Sequence, residues 1–459
     1  MNKQIIDKNI CKATKNNELY HLMEELYPIC RSITGDGVRK TLKILKQRIN
    51  LKIIEVPSGT KVFDWKVPLE WNIQDAYVKN LKGEKIIDFK KSNLHILNYS
   101  KPVSKKISKN ELKLHLHTIP EKPNSIPYVT SYYKKEWGFC TKHNQLKSIN
   151  DDFYQVKIDS TLKKGNLTYG EFFKKGKSSD EILISTYVCH PSLCNDNLSG
   201  IVISAKIAEI LSKINTFFSY RFLFIPETIG AITWLSKNEK KISRIKNCLV
   251  ITCAGDSGKF TYKKTKSGNE TIDEIFKKVF KNSNKKTMIK EFFPYGSDER
   301  QFSSPGINIP TGVFMRTPYY EFQQYHTADD NLDFVKSSSL NDSLSMIFKI
   351  ITEFETKKQV KDKSEIQRNS KSKNVFLNIN PKCEPQLGKR KIYREISKRR
   401  LTGKKNSQDL SEIAIFWVLN FSDGNYSLED ISKKSGLSIK LLKKTSKILV
   451  EKKLLKKLS

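Results

Sequence analysis

No Cys-x-x-Cys pair occurs among the eight cysteines of this chain, and histidine is scarce, with seven in 459 residues. The first absence argues against a zinc ribbon. The cysteines, at positions 11, 30, 140, 189, 194, 248, 253 and 383, come without a secretion signal and read as reduced thiols, not as a disulfide framework. The opening stretch, Met1-Asn-Lys-Gln-Ile-Ile-Asp-Lys8, lacks the apolar core and small-residue cleavage site of a signal peptide. No run approaches the ~18–20 apolar residues of a membrane span, so a cytoplasmic protein is expected. Acidic residues are also short in number: 48 Asp and Glu face 83 Lys and Arg, a formal charge of +35. Such an excess invites a nucleic-acid partner. Yet lysine dominates over arginine and is spread from end to end, which fits a solvated lysine-rich surface better than a localised patch.

The 24 Phe and 18 Tyr argue against disorder over most of the length, and the length itself allows two or three domains. Residues 18–50 show helical periodicity through Leu22, Leu26, Ile29, Val38, Leu42, Leu45 and Ile49, broken at Gly35-Asp-Gly37, and 51–56 reads as a strand. From 58 to 140, short strand-like runs are separated by Pro, Gly, Asn and Lys clusters, the texture of a small β-rich unit. Its aromatic residues Tyr128, Tyr132, Tyr133, Trp137 and Phe139 read as a core against the main domain, with sugar stacking as the alternative.

From 152 to 355, strands at 153–159, 181–188, 220–225, 247–252 and 308–314 alternate with helices at 198–213, 228–238, 270–282 and 338–355. That order predicts an α/β layered domain around a largely parallel sheet, with ligands beyond the carboxyl ends of the strands. Residues 356–374 are polar, lysine-rich and aperiodic, a linker. Beyond it, a helix at 411–420, a helix after Ser427 capped with Asp430 three residues on, a turn at Gly436 and a helix at 438–452 make a winged helix-turn-helix pattern.

The chemistry concentrates in Thr186-Tyr-Val-Cys-His-Pro-Ser-Leu-Cys-Asn-Asp-Asn-Leu-Ser-Gly200, which follows the apolar run Ile182-Leu-Ile-Ser185 and precedes a helical pattern. A histidine at a strand end, then an aspartate in the loop before a helix, is how an α/β protein presents metal ligands. Phe224-Ile-Pro-Glu-Thr-Ile-Gly230 and Gln324-Tyr-His-Thr-Ala-Asp-Asp330 echo it. Neutral imidazole and carboxylate oxygen are the usual donors to a hydrolytic zinc, with one position open for water. The chain offers His190, Asp196, Asp298 and His326 as ligands and Glu227 as a base that shuttles the proton. Cys189 and Cys194 flank the loop and read as small packing residues, with thiolate ligation as the alternative.

On these residues the chain resembles the M28-type zinc aminopeptidases. Asn195-Asp-Asn-Leu-Ser-Gly200 is similar to their Asp-Asp-x-x-Ser-Gly motif, and Glu227-Thr-Ile-Gly230 to Glu-Glu-x-Gly. Ser297-Asp298 with Phe302 is similar to Ser-Asp-His-x-x-Phe, and Tyr325-His-Thr-x-x-Asp330 to the closing Tyr-His-Thr-x-x-Asp. More closely, the chain resembles bacterial aminopeptidase-like proteins encoded near polysaccharide-biosynthesis genes, through Tyr27-Pro-Ile-Cys-Arg-Ser-Ile-Thr-Gly-Asp-Gly37, Pro57-Ser-Gly-Thr-Lys-Val-Phe-Asp-Trp65, Cys189-His-Pro-Ser-Leu193 and Cys383-Glu-Pro-Gln-Leu-Gly388. The resemblance implies an M28 aminopeptidase-like (phosphorylase/hydrolase-type) α/β fold, a mixed sheet flanked by helices. It places that domain at 1–57 and 141–355, a small inserted β-rich domain at 58–140, a linker at 356–378 and a winged helix-turn-helix at 379–459.

The resemblance also implies roles. Asp196 bridges the metals, His190 and Asp298 complete one metal site, His326 belongs to the other, and Glu227 is the general base. Thr228 stands where the motif has a second Glu, Ser192 where an Asp follows the first His by two, and Glu299 where a His follows the Ser-Asp aspartate. These departures favour one zinc over two. Arg300, Arg316 and Tyr319 are the candidate substrate contacts, an Arg for a carboxylate or phosphate and a Tyr for an oxyanion. The expected activity is cleavage of an amide in a small-molecule, peptide or amino-sugar substrate, as an aminopeptidase or as a deacylase in surface-polysaccharide biosynthesis. The alternative is a ligand-sensing, DNA-binding or scaffold protein acting through the winged helix on DNA or a protein partner. The helix at 438–450 carries Lys, Ser and Thr but no Arg, Asn or Gln to read bases.

Overall fold

The structure, a computed structural model, describes residues 3–360, 373–392 and 407–458. An eight-stranded mixed sheet organises the larger part. In chain order its strands are β1 (Lys52–Pro57), β2 (Asn166–Lys174), β3 (Glu181–Tyr187), β4 (Ser219–Ile225), β5 (Ile245–Ile251), β6 (Phe260–Lys263), β7 (Thr287–Lys290) and β8 (Thr311–Met315). They lie side by side as β1-β2-β4-β3-β5-β8-β6-β7. β4, β3, β5 and β8 run parallel, while β1 and β2 add antiparallel on one side and β6 on the other. Every residue of β3, β4 and β8 is buried, as parallel strands covered on both faces are.

Alternate side chains of those strands enter two cores. Ile182, Ile184, Phe222 and Phe224 pack with apolar residues of α1 (Lys3–Lys15), α2 (Glu18–Leu26), α3 (Asp36–Lys46) and α4 (Ser199–Ser212) on one face. Leu183, Leu223, Ile225 and Val250 pack on the other with α5 (Ile229–Lys237) and with the β-rich unit, through Trp71, Val78 and Val156. α6 (Thr271–Lys281) and α7 (Ser337–Lys357) complete the first face. The helices and strands expected between 181 and 355 are found within a few residues of their expected bounds. β6 and β7 have no counterpart in the sequence reading, because four residues each are too few to show a period.

One strand changes sheet. The segment expected at 153–159 forms as Phe153–Lys163, but it pairs with Glu70–Lys79 and Val103–Ser108 in a four-stranded antiparallel sheet edged by Lys85–Asp88. Its burial alternates, with Tyr154, Val156, Ile158 and Ser160 inside, as in a half-solvated antiparallel strand. The strand–helix alternation of the main sheet therefore resumes at Asn166, not at Asp152.

At the C-terminal end, α8 (Ser407–Phe421), α9 (Leu428–Ser435) and α10 (Ile439–Glu451) pack on a small sheet of Val375–Asn378, Asp423–Ser427 and Leu455–Lys457. The Ser427 hydroxyl accepts from the Asp430 N–H at 3.2 Å and the Asp430 carboxylate accepts from the Ser427 N–H at 2.9 Å, the reciprocal cap its spacing predicts. Of the linker expected at 356–378, residues 361–372 lie outside the described residues and 375–378 form a strand of this sheet. The unit docks on the main domain through Trp417, edge-to-face with Phe292 and Phe293, and through Lys266, whose ammonium donates to the Asn420 carbonyl at 2.7 Å. Among the described residues no helix is long and apolar enough to cross a membrane.

The chain leaves β3 for β4 on one side and returns through α5 to β5 on the other. This switch point opens a crevice beyond the carboxyl ends of these strands. α4 begins there, and it approaches β3 and β5 unusually closely. A Cβ on Gly200 would lie 2.4 Å from Asn197 Oδ1, 2.5 Å from the Ile251 carbonyl oxygen and 2.7 Å from Thr186 Oγ1. Gly200→Ala is therefore expected to lose about 1–3 kcal/mol through overpacking, measured as a lowered midpoint of thermal or urea unfolding.

Candidate metal centre

Three of the residues singled out from the sequence meet at this crevice. His190 follows β3, Asp196 lies in the loop between β3 and α4, and His326 lies between β8 and α7. Their ligand atoms are all within 4.8 Å of one another. His190 Nε2 is 3.8 Å and His326 Nε2 3.0 Å from the same atom, Asp196 Oδ2. Asp196 Oδ2 and His326 Nε2 are buried yet make no hydrogen bond. Buried polar atoms left unsatisfied call for an unseen partner, and two imidazoles with a carboxylate are donors that zinc accepts. The residues fit the ion. Burial works against ionising Asp196, but His190, His326 and the Tyr187 hydroxyl outweigh it and hold the carboxyl down at about 2. Burial lowers His190 to about 4, so at neutral pH it is the uncharged imidazole that ligation needs.

Backbone clamps hold these side chains in place. The buried Arg31 donates from Nε to the His190 carbonyl at 2.7 Å and from Nη1 to the Leu26 carbonyl at 2.6 Å. The Asp330 carboxylate accepts the N–H groups of Asn195 and Asp196 at 2.6 and 2.9 Å. Asn195 in turn donates to Asp256 and accepts from the Gly255 N–H, both at 2.8 Å. Tyr187 donates its hydroxyl proton to the second Asp196 oxygen.

The β-rich unit takes part as well. The Tyr128 N–H donates to the His326 carbonyl at 2.8 Å, and the Ala328 N–H to the Ile126 carbonyl at 2.9 Å. The Tyr128 ring lies 5.1 Å from the His190 ring and 5.2 Å from that of His326, so it belongs to the site as well as to the core. Tyr325 stacks on His326 at 4.0 Å.

Glu227 and Asp298 form a second charged layer. Glu227 sits just after β4, where Thr228 adopts φ 62°, ψ −74° and the Ile229 N–H donates to the Glu227 carbonyl at 2.7 Å, a strained γ-turn. The turn aims the Thr228 N–H at Asp298 Oδ1, 2.6 Å away. Asp298 lies outside the 4.8 Å set of His190, Asp196 and His326, although its Oδ2 is buried without a hydrogen bond. Burial lifts the Asp298 carboxyl to about 7. Burial, then the charges of Asp298 and Asp196, push Glu227 well above the usual carboxylate range. This carboxyl layer therefore holds a proton at neutral pH.

Glu299 turns away from the ligands. It pairs with the buried Lys263 and accepts the Ser297 N–H at 3.1 Å, so it braces the loop that carries Asp298. Cys189 Sγ accepts the Glu227 N–H at 3.2 Å and lies within 4.8 Å of His190 and Glu227 ligand atoms. Burial pushes its thiol well above the ordinary value, which favours the protonated form, and Cys194 lies outside both groups.

The centre opens into a cavity of about 610 Å³ with His190, Glu227 and His326 on its wall. Arg300 also lines it, its Nε 2.6 Å from Glu384. Arg316 does not. It is buried against the Phe260 ring and donates to the carbonyls of Gly258 and Ser339 at 3.0 and 3.3 Å, a brace between loops. Tyr319 is likewise absent from the lining, and its buried hydroxyl makes no hydrogen bond. The sequence reading missed the clamp by Asp330 and the contact by Glu384, although both residues stand inside motifs that it quoted.

Residues 20–357 match the family described as a domain of unknown function, DUF4910, and residues 374–457 match a winged helix-turn-helix. Over 452 residues the chain is 52% identical to a Clostridium acetobutylicum protein named for polysaccharide biosynthesis and an aminopeptidase-like domain, covering 98% of this chain and 99% of that one. A crystal structure of a Clostridium acetobutylicum protein named as a peptidase matches with a TM-score of 0.75 at 50% identity, covering 99% of each chain. A zinc aminopeptidase from Bacillus subtilis matches over 76% of this chain and 96% of its own, with a TM-score of 0.54 at 12% identity, a likeness of fold. With its aminopeptidase-like α/β domain and C-terminal winged helix-turn-helix, the chain belongs to the DUF4910 family.

Proposed function

We propose that this protein is a zinc-dependent hydrolase that cleaves an amide bond in a small substrate, an aminoacyl or N-acyl amino-sugar conjugate. Zinc is held by His190, Asp196 and His326, and Glu227 is the general base. The observation that carries this reading is the convergence of those three ligand atoms, two of them buried and without a hydrogen bond, beside the buried carboxyl of Glu227, whose proton affinity lies above the usual carboxylate range. One zinc suits the donors better than two. Thr228 replaces the second Glu of the motif, and its N–H caps Asp298, the expected fourth ligand.

Zinc bound there polarises an amide carbonyl and brings the pKa of water toward ~7. Glu227, on the cavity wall next to Asp298, takes the proton from the attacking water and returns it to the departing nitrogen. Burial, then the charges of Asp298 and Asp196, raise the proton affinity of Glu227 above that of an ordinary carboxyl, the direction a proton shuttle needs. Tyr187 and Asp330 keep Asp196 oriented, and Arg31 fixes the backbone of His190.

A second reading rests on α10, which exposes Lys440, Lys443, Lys444 and Lys447 along one helix. Here the C-terminal unit holds duplex DNA by its phosphates without reading bases.

Metal analysis of the dialysed protein is expected to find about one zinc per chain, lost in His190→Ala and in His326→Ala and kept in Asp298→Asn. Zinc retention is expected to strengthen as the pH rises from 5 to 8. Asp298, at about 7, and Glu227, higher than an ordinary carboxyl, are protonated at the acid end; as they lose their protons to solvent, their negative charge beside the site would favour a bound dication. Glu227→Gln is expected to keep zinc and fold but to lose about 10²–10⁴-fold in kcat on aminoacyl and N-acyl sugar amides. Full-length protein on duplex DNA is expected to weaken with salt at a log–log slope of about −3 to −4 if four lysines meet phosphates; a flat response removes the second reading.

A further inference from the structure

Although the chain carries +35, no lysine or arginine on the cavity wall lacks a neighbouring acid. Three cations of the lysine and arginine type line it, and each has an acid beside it. Arg300 Nε is 2.6 Å from Glu384, Lys389 Nζ is 2.7 Å from Asp64, and Lys134 Nζ is 3.8 Å from Glu136. The first pair matters most. Its two side chains are only 12% and 14% exposed, so an uncancelled Arg300 would attract an anion in a poorly screened setting. Glu384 comes from the segment between the strand Val375–Asn378 and α8. The C-terminal unit therefore supplies the acid that neutralises a cation of the main domain.

Away from Glu227 and the histidines of the metal centre, the wall is uncharged, and it offers aromatic rings and neutral polar groups. Trp65 and Tyr133 meet edge to face with centroids 5.3 Å apart, and Tyr132 lies on the same wall. Trp65 is fixed by its indole N–H, which donates to the Glu384 carbonyl at 2.8 Å. Thr130 and Gln386 add neutral hydrogen-bonding groups. Aromatic faces with neutral donors and acceptors, beside cations already paired with acids, suit a pyranose ring: its C–H face lies on the aromatics while its hydroxyls meet polar side chains.

We infer, resting on the hydrolase reading above, that the substrate class is an uncharged N-acyl amino sugar and that Glu384 is the specificity-determining residue that turns away phosphorylated ones. The amide faces the metal centre and the sugar ring lies against the wall that the β-rich and C-terminal units build.

The test is calorimetric titration of the full-length protein with N-acetylglucosamine and with N-acetylglucosamine 6-phosphate. Wild type is expected to bind the neutral sugar at least tenfold more tightly. Glu384→Gln frees Arg300 and is expected to shift the ratio at least tenfold toward the phosphate, and the double variant Arg300→Gln/Glu384→Gln is expected to shift it back. The double variant also separates a charge effect from a folding defect, since it removes the same carboxylate without leaving a lone cation. Equal or tighter binding of the phosphate by wild type, an unchanged ratio in Glu384→Gln, or binding of neither sugar overturns the inference. The titrations are run with Glu227→Gln in every protein, the one with wild-type residues at 300 and 384 included, so that no amide is cleaved; failure of the hydrolase reading, seen as no retained zinc and no amide cleavage by the unsubstituted protein, is then a separate result.

Discussion

The side chain of Asp330 spans the backbone N–H groups of Asn195 and Asp196, and that contact ties together two loops 134 residues apart in sequence. The loop after β3 is also held by Arg31 at His190, by Ser192 on the Tyr27 carbonyl and by Asn197 on Thr186 and the Tyr187 carbonyl, but at Asn195–Asp196 the backbone donors go to Asp330. With Asp330 in place, Asn195 reaches the 255–256 turn and Asp196 faces two histidines. Asp330 follows His326 by four residues, so the clamp that orients one ligand also sets the position of another. A buried carboxylate that accepts two backbone N–H groups resists displacement, because losing it leaves those donors unsatisfied in a place water does not reach.

Around that clamp, three units share one cavity. The main domain contributes the metal centre and the Glu227–Asp298 layer. The β-rich unit holds the His326 backbone through Tyr128 and supplies the aromatic wall. The C-terminal unit closes the opposite side with residues 384–389 and is pinned by Asp64, which takes both Lys389 and Arg390. None of the three is an appendage. Removing the C-terminal unit opens the cavity and takes the partners of Arg300 and Asp64, while removing the β-rich unit takes Asp64 from Lys389 and Arg390.

Much of the fold was legible because its signals are local. Apolar runs such as Ile182–Ile184 and Phe222–Ile225 mark strands covered on both faces, and the Ser427–Asp430 cap shows in its spacing. The strand Phe153–Lys163 misled because a short apolar alternation says that a strand exists, not which sheet it joins. Pairing with Glu70–Lys79 is a contact across some 80 residues, and no local period encodes it. Of the site, the residues that donate to metal stood out because few residue types can do that work. Arg316 and Tyr319 were chosen for their chemistry and their nearness to site motifs. Packing sent Arg316 to two backbone carbonyls and kept Tyr319 off the cavity wall.

Residue type at short spacing is enough to show the layer order, the strand ends, the capped helices of the C-terminal unit and the candidacy of His190, Asp196, Glu227 and His326 as site residues. Only the tertiary structure decided that Asp298 is capped by Thr228 outside the three-ligand set, that Glu299 serves Lys263, and that Glu384 crosses from another unit to Arg300. Those outcomes turn on which groups burial brings within a hydrogen bond of one another. A buried carboxylate takes the partner that geometry offers, and that geometry is a property of the whole fold.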